Sequence, residues 1–407
     1  MNHFDIIVIG GGPAGAATAI EAARGGASVA IFEKAGYGRD KVCGDGLTPR
    51  AMGALNDLGI SATGAHKIFG LRMIAGKTRR ELQWPTASKF PSYGAVWVRK
   101  KLDAHLIEAA SQAGAVMHFN SEALPTFDGD RVRGVSVGDE RWTADLVVAA
   151  SGAPGKVARM LGSERKTNEP YGIAIRTYVE SPRHAENYLE ASLAMRDPQG
   201  TPIPGYGWMF PAGDGTVNLG VGALSTMRGF KNLNLNRLCD LYRDHVSEEW
   251  NVGPYLEKPR AWRLPMTSQK RCGLGWVAVG DAAGLINPMN GEGIDYSLES
   301  GMLIAQLFLE NPETAPEKYD QIIGERFDSF LRTGRRFSYL IGHPLILRSG
   351  LRIAVGSQTM ANLTLQVMGN LIDSDMPGGA GRVLRVADRL LAASDPILRR
   401  TQAKGKT

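Results

Sequence analysis

Four groups of residues in this chain have types and spacing suited to chemistry. The first is Gly10, Gly12 and Gly15, with Pro13 and Ala14 among them, set between the apolar run Phe4-Asp5-Ile6-Ile7-Val8-Ile9 and the alanine-rich segment Ala16 to Arg24. This order reads as strand, tight turn and helix. Gly10 permits the turn, Gly12 lets a pyrophosphate approach bare backbone, and Gly15 lets the helix pack on the strand. Free N–H groups and the positive end of the helix dipole then face the phosphates. A second strand, Ser28 to Phe32, ends at Glu33, about 20 residues past the glycines, where a carboxylate accepts ribose hydroxyls. A dinucleotide is therefore expected, with Lys34 beside it. Because Glu33 would repel a 2′-phosphate, FAD or NAD(H) is favoured over NADP.

The second group is Gly280-Asp281, which follows the apolar Trp276-Val277-Ala278-Val279 and precedes Pro288-Met289-Asn290-Gly291-Glu292-Gly293-Ile294. A strand ending in Gly-Asp brings a carboxylate to the carboxyl edge of the sheet, where it can accept a ribityl hydroxyl. Gly291 and Gly293 open a helix whose N-terminus favours negative charge, such as a reduced flavin carries at its N1/O2 edge. The third group, Lys41-Val42-Cys43-Gly44-Asp45-Gly46-Leu47, sets a thiol in glycine-rich backbone. The fourth is Tyr206-Gly207-Trp208-Met209-Phe210-Pro211, followed by Gly220-Val221-Gly222. Alternate residues of a strand share a face, so Tyr206, Trp208 and Phe210 make one aromatic wall. Such a wall suits a long apolar ligand, or else packs a sheet core.

The elements that position these groups predict an α/β fold. Residues 1–165 and 265–313 read as a discontinuous dinucleotide-binding domain, with a β-rich insertion near 65–98 where Leu71 to Ile74 and Ala95 to Val98 are candidate strands. Within it, 100–113 has helical periodicity, 116–119 reads as a strand, and 132–137 with 142–148 reads as an antiparallel pair turning at Gly138-Asp139. Residues 166–264 read as an antiparallel-sheet substrate domain, and 314–407 as a helical C-terminal region.

A chain of 407 residues, 43% hydrophobic and 22% charged, is expected to be globular with two or three domains' worth of core. Cys43, Cys239 and Cys272 are scattered, which fits a reducing cytosol and implies neither disulfides nor a metal site. The first strand starts at residue 4 and leaves no room for a signal peptide. No apolar stretch reaches the roughly 18 residues of a membrane span; the nearest, 337–355, is broken by His343, Arg348 and Arg352. A cytoplasmic protein is expected. The charge of +6 is concentrated in part at Arg335, Arg336, Arg348, Arg352, Arg382, Arg385, Arg389, Arg399, Arg400, Lys404 and Lys406. These alternate with aliphatic rather than stacking residues, which points to an anionic membrane surface and not to nucleic acid; an ordinary solvated basic tail stays open.

The glycine turn with Glu33, the segment Val98-Arg99-Lys100-Lys101-Leu102-Asp103, and Gly280-Asp281 together resemble the FAD-binding scaffold shared by aromatic hydroxylases and geranylgeranyl reductases, over about the first 300 residues. The resemblance implies a Rossmann-like FAD-binding domain with Arg99 on the FAD phosphates or ribityl chain. Lys41 to Leu47 resembles the Cys-x-x-Gly segment that geranylgeranyl reductases place beside the flavin, implying cofactor contacts by Cys43, Gly44, Asp45 and Gly46. Cys43 is the candidate catalytic residue, as proton donor or substrate positioner. Residues 206–222 resemble the same family's aromatic and Gly-x-Gly signature, implying a polyprenyl tunnel formed by Tyr206, Trp208, Phe210, Gly220 and Gly222. Where that family places an upstream proline this chain has Ile203, between Pro202 and Pro204. In Ala150-Ser151-Gly152, Ser151 stands where aromatic hydroxylases carry an acid, which tells against monooxygenase chemistry. Asp40 to Arg50 with Gly280 to Ile294 most resembles the actinobacterial menaquinone reductase branch, implying an FAD-dependent oxidoreductase that saturates one isoprene unit of a quinone tail. With one dinucleotide fingerprint, the electron donor, NAD(P)H or another carrier such as a ferredoxin, must visit transiently. An aromatic monooxygenase or halogenase, a reductase of geranylgeranyl lipids or pigments, and a non-catalytic isoprenoid carrier are the alternative readings.

Overall fold

The computed structural model describes residues 3–86, 89–152, 155–163, 169–193, 195, 205–227, 229–267, 270–341 and 356–372. An eight-stranded sheet forms the first layer, its main path running Cys272–Gly273, Trp276–Ala278, Glu140–Ala149, His3–Ile9, Val29–Phe32 and Val116–His118. The last five of these are parallel to one another. Ile6, Ile7, Val8 and Ile9 at its centre are at most 4% exposed, as a continuous apolar strand covered on both faces should be. Arg131–Val137 extends the sheet as an antiparallel hairpin with Glu140–Ala149, turning at Gly138 in a left-handed conformation.

Helix Pro13–Arg24 leaves the central strand with Gly12 as N-cap and Pro13 in its first turn. Gly10 has φ +111°, and a Cβ there would lie 2.4 Å from the Ala150 carbonyl oxygen. A Cβ on Gly15 would lie 2.0 Å from the Gly10 carbonyl oxygen. Helix Ile294–Glu310 crosses this first helix at Gly301, where a Cβ would meet the Ala14 carbonyl oxygen at 2.3 Å. Small residues at these contacts set how closely backbone can approach backbone.

A seven-stranded sheet forms the second layer, in the order Arg260–Pro265, Tyr171–Glu180, Thr216–Leu224, Tyr206–Pro211, Tyr188–Leu193, Gly70–Ala75 and Thr78–Gln83. The hairpin at 70–83 thus departs from the expected assignment to the dinucleotide-binding part. It pairs in parallel with Tyr188–Leu193, where Leu71, Met73 and Leu82 are buried with Leu189 and Ala191. The second candidate strand of that insertion, Gly94–Val96, instead joins Gly46–Leu47 and His66–Ile68 in a small sheet. Val98 lies outside it, as the N-cap of helix Arg99–Gln112.

Helix Leu235–Trp250 covers one face of the second sheet, with Leu238, Tyr242, Val246 and Trp250 packed on Ile175, Val179, Met209, Leu219 and Val221. Gly207 faces this helix, where a Cβ would come within 2.3 Å of the Tyr242 ring. Residues 206, 208 and 210 therefore look the other way.

Past the second sheet the chain is helical over Ala315–Ile323, Ser329–Ile341 and Gln358–Met368. The end of helix Gln358–Met368 is tied to the 287–299 region and to Arg50. Asn290 donates to the Met368 carbonyl, Arg50 Nη1 to the Asn370 carbonyl at 3.2 Å, and Asn370 Nδ2 to Asp295 Oδ2 at 2.6 Å. Arg335, expected on a basic surface, is half-buried near Asp328 and Glu169, and burial pushes its pKa down. Pro202, Ile203, Pro204, His343, Arg348, Arg352, Arg382, Arg385, Arg389, Arg399, Arg400, Lys404 and Lys406 lie outside the described residues. Among the described residues no helix is long and apolar enough to cross a membrane.

Candidate active site

One cavity of about 690 Å³ lies between the two sheets, and its lining gathers residues from all four sequence groups. Gly10, Gly12, Pro13, Ala14, Glu33 and Lys34 line it from the first, and Asp281, Gly291, Gly293 and Ile294 from the second. Cys43, Gly44, Gly46 and Arg99 line it beside Tyr206, Trp208 and Phe210.

The Glu33 carboxylate is oriented by its own turn: it accepts from Gly11 N at 2.8 Å and Ala35 N at 3.0 Å, and pairs with Arg39 Nε at 3.1 Å. Arg39 also approaches Asp103 at 3.4 Å, and its Nη2 would sit 3.3 Å from a Cβ on Gly12. A cation is thus held against the bare backbone where a pyrophosphate is expected. No motif announced Arg39. The Arg99 guanidinium also lines the cavity, with its Nε and Nη2 engaged by Asp103 at 2.8 and 2.9 Å. Asp281 is paired with Lys41 at 2.9 Å, and its Oδ1 would lie 3.2 Å from a Cβ on Gly293. Gly280, with φ +56°, is buried against Ser297 and Ala14 and supports Asp281 from behind.

The aromatic wall forms as alternation requires. Tyr206 and Trp208 ring centroids are 5.8 Å apart, and those of Trp208 and Phe210 are 6.2 Å apart. Phe210 lies against the Cys-x-x-Gly turn, where a Cβ on Gly44 or Gly46 would come to 3.2 or 3.0 Å from its ring. Tyr206 Oη donates to the Asn290 carbonyl at 2.6 Å, tying the wall to the 288–294 loop.

Gly220 and Gly222 take a different role from the substrate contact expected of them. They stand opposite Trp208 and Tyr206 in the neighbouring strand, and neither lines the cavity. A Cβ on Gly220 would lie 2.1 Å from the Trp208 ring, and one on Gly222 3.1 Å from the Tyr206 ring. The glycines let the rings lie flat along the sheet. Asn218, two residues earlier on the same face, accepts from Trp208 Nε1 at 2.9 Å and donates to the Cys43 carbonyl at 2.9 Å. The wall and the thiol turn are thereby one hydrogen-bonded unit.

Asp45 also departs from its expected place at the cofactor. It is fully buried with φ +64° and points away from the cavity lining. Its carboxyl accepts from Arg99 N at 3.0 Å, Tyr178 Oη at 2.6 Å and Asn218 Nδ2 at 2.7 Å. Burial pushes its pKa up to about 6, against the pull of those donors and of Arg176. An acid raised in the folded state stabilises fully below its unfolded pKa near 3.8, and that contribution is lost as pH rises through 6. Asp45→Asn is therefore expected to flatten the loss of stability between pH 4 and pH 7 by about 2 kcal/mol, measured by denaturant titration at both pH values.

Burial likewise pushes the Cys43 thiol up, with Arg99 and Lys41 opposing it, so the group is a thiol and not a thiolate at neutral pH. Asp45 N donates to its sulfur at 3.4 Å. Arg176, which sequence patterning left unmarked, lines the cavity with its guanidinium on Asp40 at 2.8 Å and stacked 4.6 Å from the Tyr178 ring. Leu71, Trp84, Leu189, Ala191 and Met368 add apolar lining. Ser151 lines the cavity with no carboxylate in its place, while Ala153 and Pro154 lie outside the described residues.

Backbone cleared of side chains at Gly12, Arg39 beside it, an oriented Glu33 and Asp281 at the sheet edge fit FAD, and together with the fold they define an FAD-dependent oxidoreductase. Residues 3–318 match the FAD binding domain family model. The chain is 37% identical to the menaquinone reductase of Mycobacterium tuberculosis over 406 residues, covering 95% of this chain and 98% of that one. Among solved structures it resembles a geranylgeranyl bacteriochlorophyll reductase-like protein from Thermoplasma acidophilum (TM-score 0.76, 24% identity, 95% and 100% of the two chains). A flavin-dependent brominase shares the fold at TM-score 0.76 and 18% identity, over 96% and 100% of the two chains. The chain belongs to the geranylgeranyl reductase family of FAD-dependent oxidoreductases, on its menaquinone reductase branch.

Proposed function

We propose that the protein hydrogenates one carbon–carbon double bond in the polyprenyl tail of menaquinone. The observation that carries this reading is the Tyr206/Trp208/Phe210 wall lying against the Cys43–Gly46 turn, in the cavity that also contains the dinucleotide cradle. FAD, when bound, supplies the hydride. The chain's own part is to lay an apolar chain along rigid rings, to exclude water with Leu71, Trp84, Leu189 and Met368, and to hold Glu33, Arg39 and Asp281 where a dinucleotide needs them.

Ser151 in place of an acid supports reduction over oxygenation. The tail would be drawn from a bilayer, with the protein peripheral on the inner face of the cell membrane, and NAD(P)H or another two-electron carrier would re-reduce the enzyme. Anaerobic mixing of the pre-reduced holoenzyme with menaquinone in phospholipid vesicles tests the reading. Flavin colour should return with menaquinone present, without oxygen, and the recovered menaquinone should carry two added hydrogens in its tail by mass spectrometry. Colour that returns only with oxygen, together with a hydroxylated or halogenated product, would overturn it.

A further inference from the structure

We infer that the carboxyl of Glu292 is the acid that protonates the alkene carbon during tail reduction, a role that rests on the reductase reading above. Saturating an isolated double bond takes a hydride and a proton, and no neighbouring carbonyl spreads the developing charge. The proton donor must therefore line the cavity, carry its proton at neutral pH and be free of a cation that would hold it ionised.

Most acids on the cavity wall fail that requirement. Glu33 is held by Arg39, Asp281 by Lys41, and Asp40 by Arg176 and Arg260. The Tyr206 hydroxyl spends its proton on the Asn290 carbonyl, and burial makes it a still weaker acid. Two groups are left.

Glu292 lies between Gly291, with φ +81°, and Gly293, the N-cap of helix Ile294–Glu310, and all three line the cavity. The loop runs against the aromatic wall: a Cβ on Gly291 would be 3.9 Å from Tyr206 Oη. The carboxyl accepts a long bond, 3.4 Å, from Thr48 N and also engages the Thr48 side chain, and among the described residues no basic side chain pairs with it. Arg50, the nearest cation to act on it, is committed to Glu299 at 2.5 and 2.9 Å. Asp295 stands on its inner side, fully buried, with Asn370 Nδ2 at 2.6 Å and Tyr296 N at 2.8 Å. Burial and the Asp295 charge hold the Glu292 carboxyl protonated well above the usual carboxylate range, against the pull of Thr48, Arg50 and the helix N-terminus. Tyr206 and Tyr296, the other titratable groups that sense Glu292, are neutral.

Cys43 is the remaining donor on the wall, with a thiol pushed above its ordinary value near 9. A carboxylic acid is ordinarily a much stronger acid than a thiol, and burial raises both groups here; general-acid efficiency rises with acid strength. The balance is simple. The Glu292 O–H bond breaks as a C–H bond forms with the alkene π pair; the hydride of reduced FAD forms the second C–H bond. Oxidised FAD, a saturated isoprene unit and the Glu292 carboxylate result, and solvent returns the proton.

The test uses FAD-loaded, full-length wild type, E292Q, E292D and C43S. In single turnover with menaquinone, E292Q is expected to be slower by about 10²–10⁴-fold with its FAD content retained. The wild-type rate should fall as pH rises through the donor's pKa, at a pH that shifts in E292D, with no such break in E292Q. Infrared difference spectra supply a readout apart from turnover: a protonated-carboxyl band, sensitive to deuterated water, present in the wild type at neutral pH and missing in E292Q. If E292Q does not fold, the E292D pH profile and the wild-type band decide. A wild type that reduces the tail while E292Q keeps its rate and pH break, or a wild type without the band, overturns the donor role alone. A C43S variant that loses the rate while E292Q keeps it assigns the proton to Cys43 instead. A wild type that leaves the tail intact overturns the reductase reading and this role with it.

Discussion

Gly15→Ala is expected to give a protein that no longer retains FAD through gel filtration. The added Cβ would sit 2.0 Å from the Gly10 carbonyl oxygen, 2.9 Å from Val8 Cγ1 and 3.2 Å from Ala150 Cβ. A backbone oxygen cannot turn aside as a side chain can, so helix Pro13–Arg24 must move away from the central strand. That movement takes with it the N–H groups of the glycine turn, whose value lies in their position. Overpacking of this kind costs about 1–3 kcal/mol, and misplacing the cradle by the same amount lowers affinity by about 100-fold at the upper end. Gly12→Ala provides the contrast: its Cβ meets only the flexible tip of Arg39, at 3.3 Å. Its thermal stability should stay close to wild type, whereas that of Gly15→Ala should fall. Titrating FAD into each apoprotein by fluorescence, beside a melting curve, checks both; wild-type affinity in Gly15→Ala would contradict the packing argument.

The second large effect is expected at Gly220, which does not line the cavity. A Cβ there would lie 2.1 Å from Trp208 Cζ2 and 2.5 Å from Cε2, and the ring is pinned between Tyr206 and Phe210 with Nε1 bonded to Asn218. The ring must leave the sheet and enter the cavity, breaking the Trp208–Asn218 bond and loosening the turn at Cys43 that Asn218 also holds. Gly220→Ala should therefore keep its FAD, since the cradle belongs to the other sheet, and lose tail reduction by about 100-fold or more. Gly222→Ala, at 3.1 Å from the Tyr206 ring, should be milder. Steady-state reduction with each variant tests the order, and equal defects would contradict it.

These glycines show what the sequence could and could not reveal. The turn at Gly10 to Gly15 was legible because its geometry is local: strand, turn and helix are consecutive, and each glycine answers to a neighbour within a few residues or to the adjoining strand. The Gly220 and Gly222 pattern was equally visible, yet its role was not, because only cross-strand register sets a glycine opposite each ring. The same gap explains the 70–83 hairpin. Alternation told which residues of Leu71 to Ile74 share a face, but its partner, Tyr188–Leu193, is more than 100 residues away and no local signal names it.

Charge chemistry was the least legible. Asp45, read as a cofactor contact from its place in the motif, is turned inward by a left-handed backbone and held by Tyr178, Asn218 and Arg99 N. Arg39 and Arg176 sit in no recognisable pattern; they matter because folding carries them to Glu33 and Asp40. Glu292 was in view between two glycines, but its protonation depends on burial and on Asp295 in the next turn. Composition carries no record of such surroundings.

In the proposed reaction, electrons stored at the glycine turn reach a prenyl chain laid on the aromatic wall. Mass spectrometry of menaquinone from cells with and without this protein tests it most directly. The expected result is a quinone pool two hydrogens heavier when the protein is present, with the added hydrogens in the tail, and the lighter form alone when it is absent. An identical quinone pool in both, with altered geranylgeranyl lipids or a new oxygenated product in its place, would contradict it.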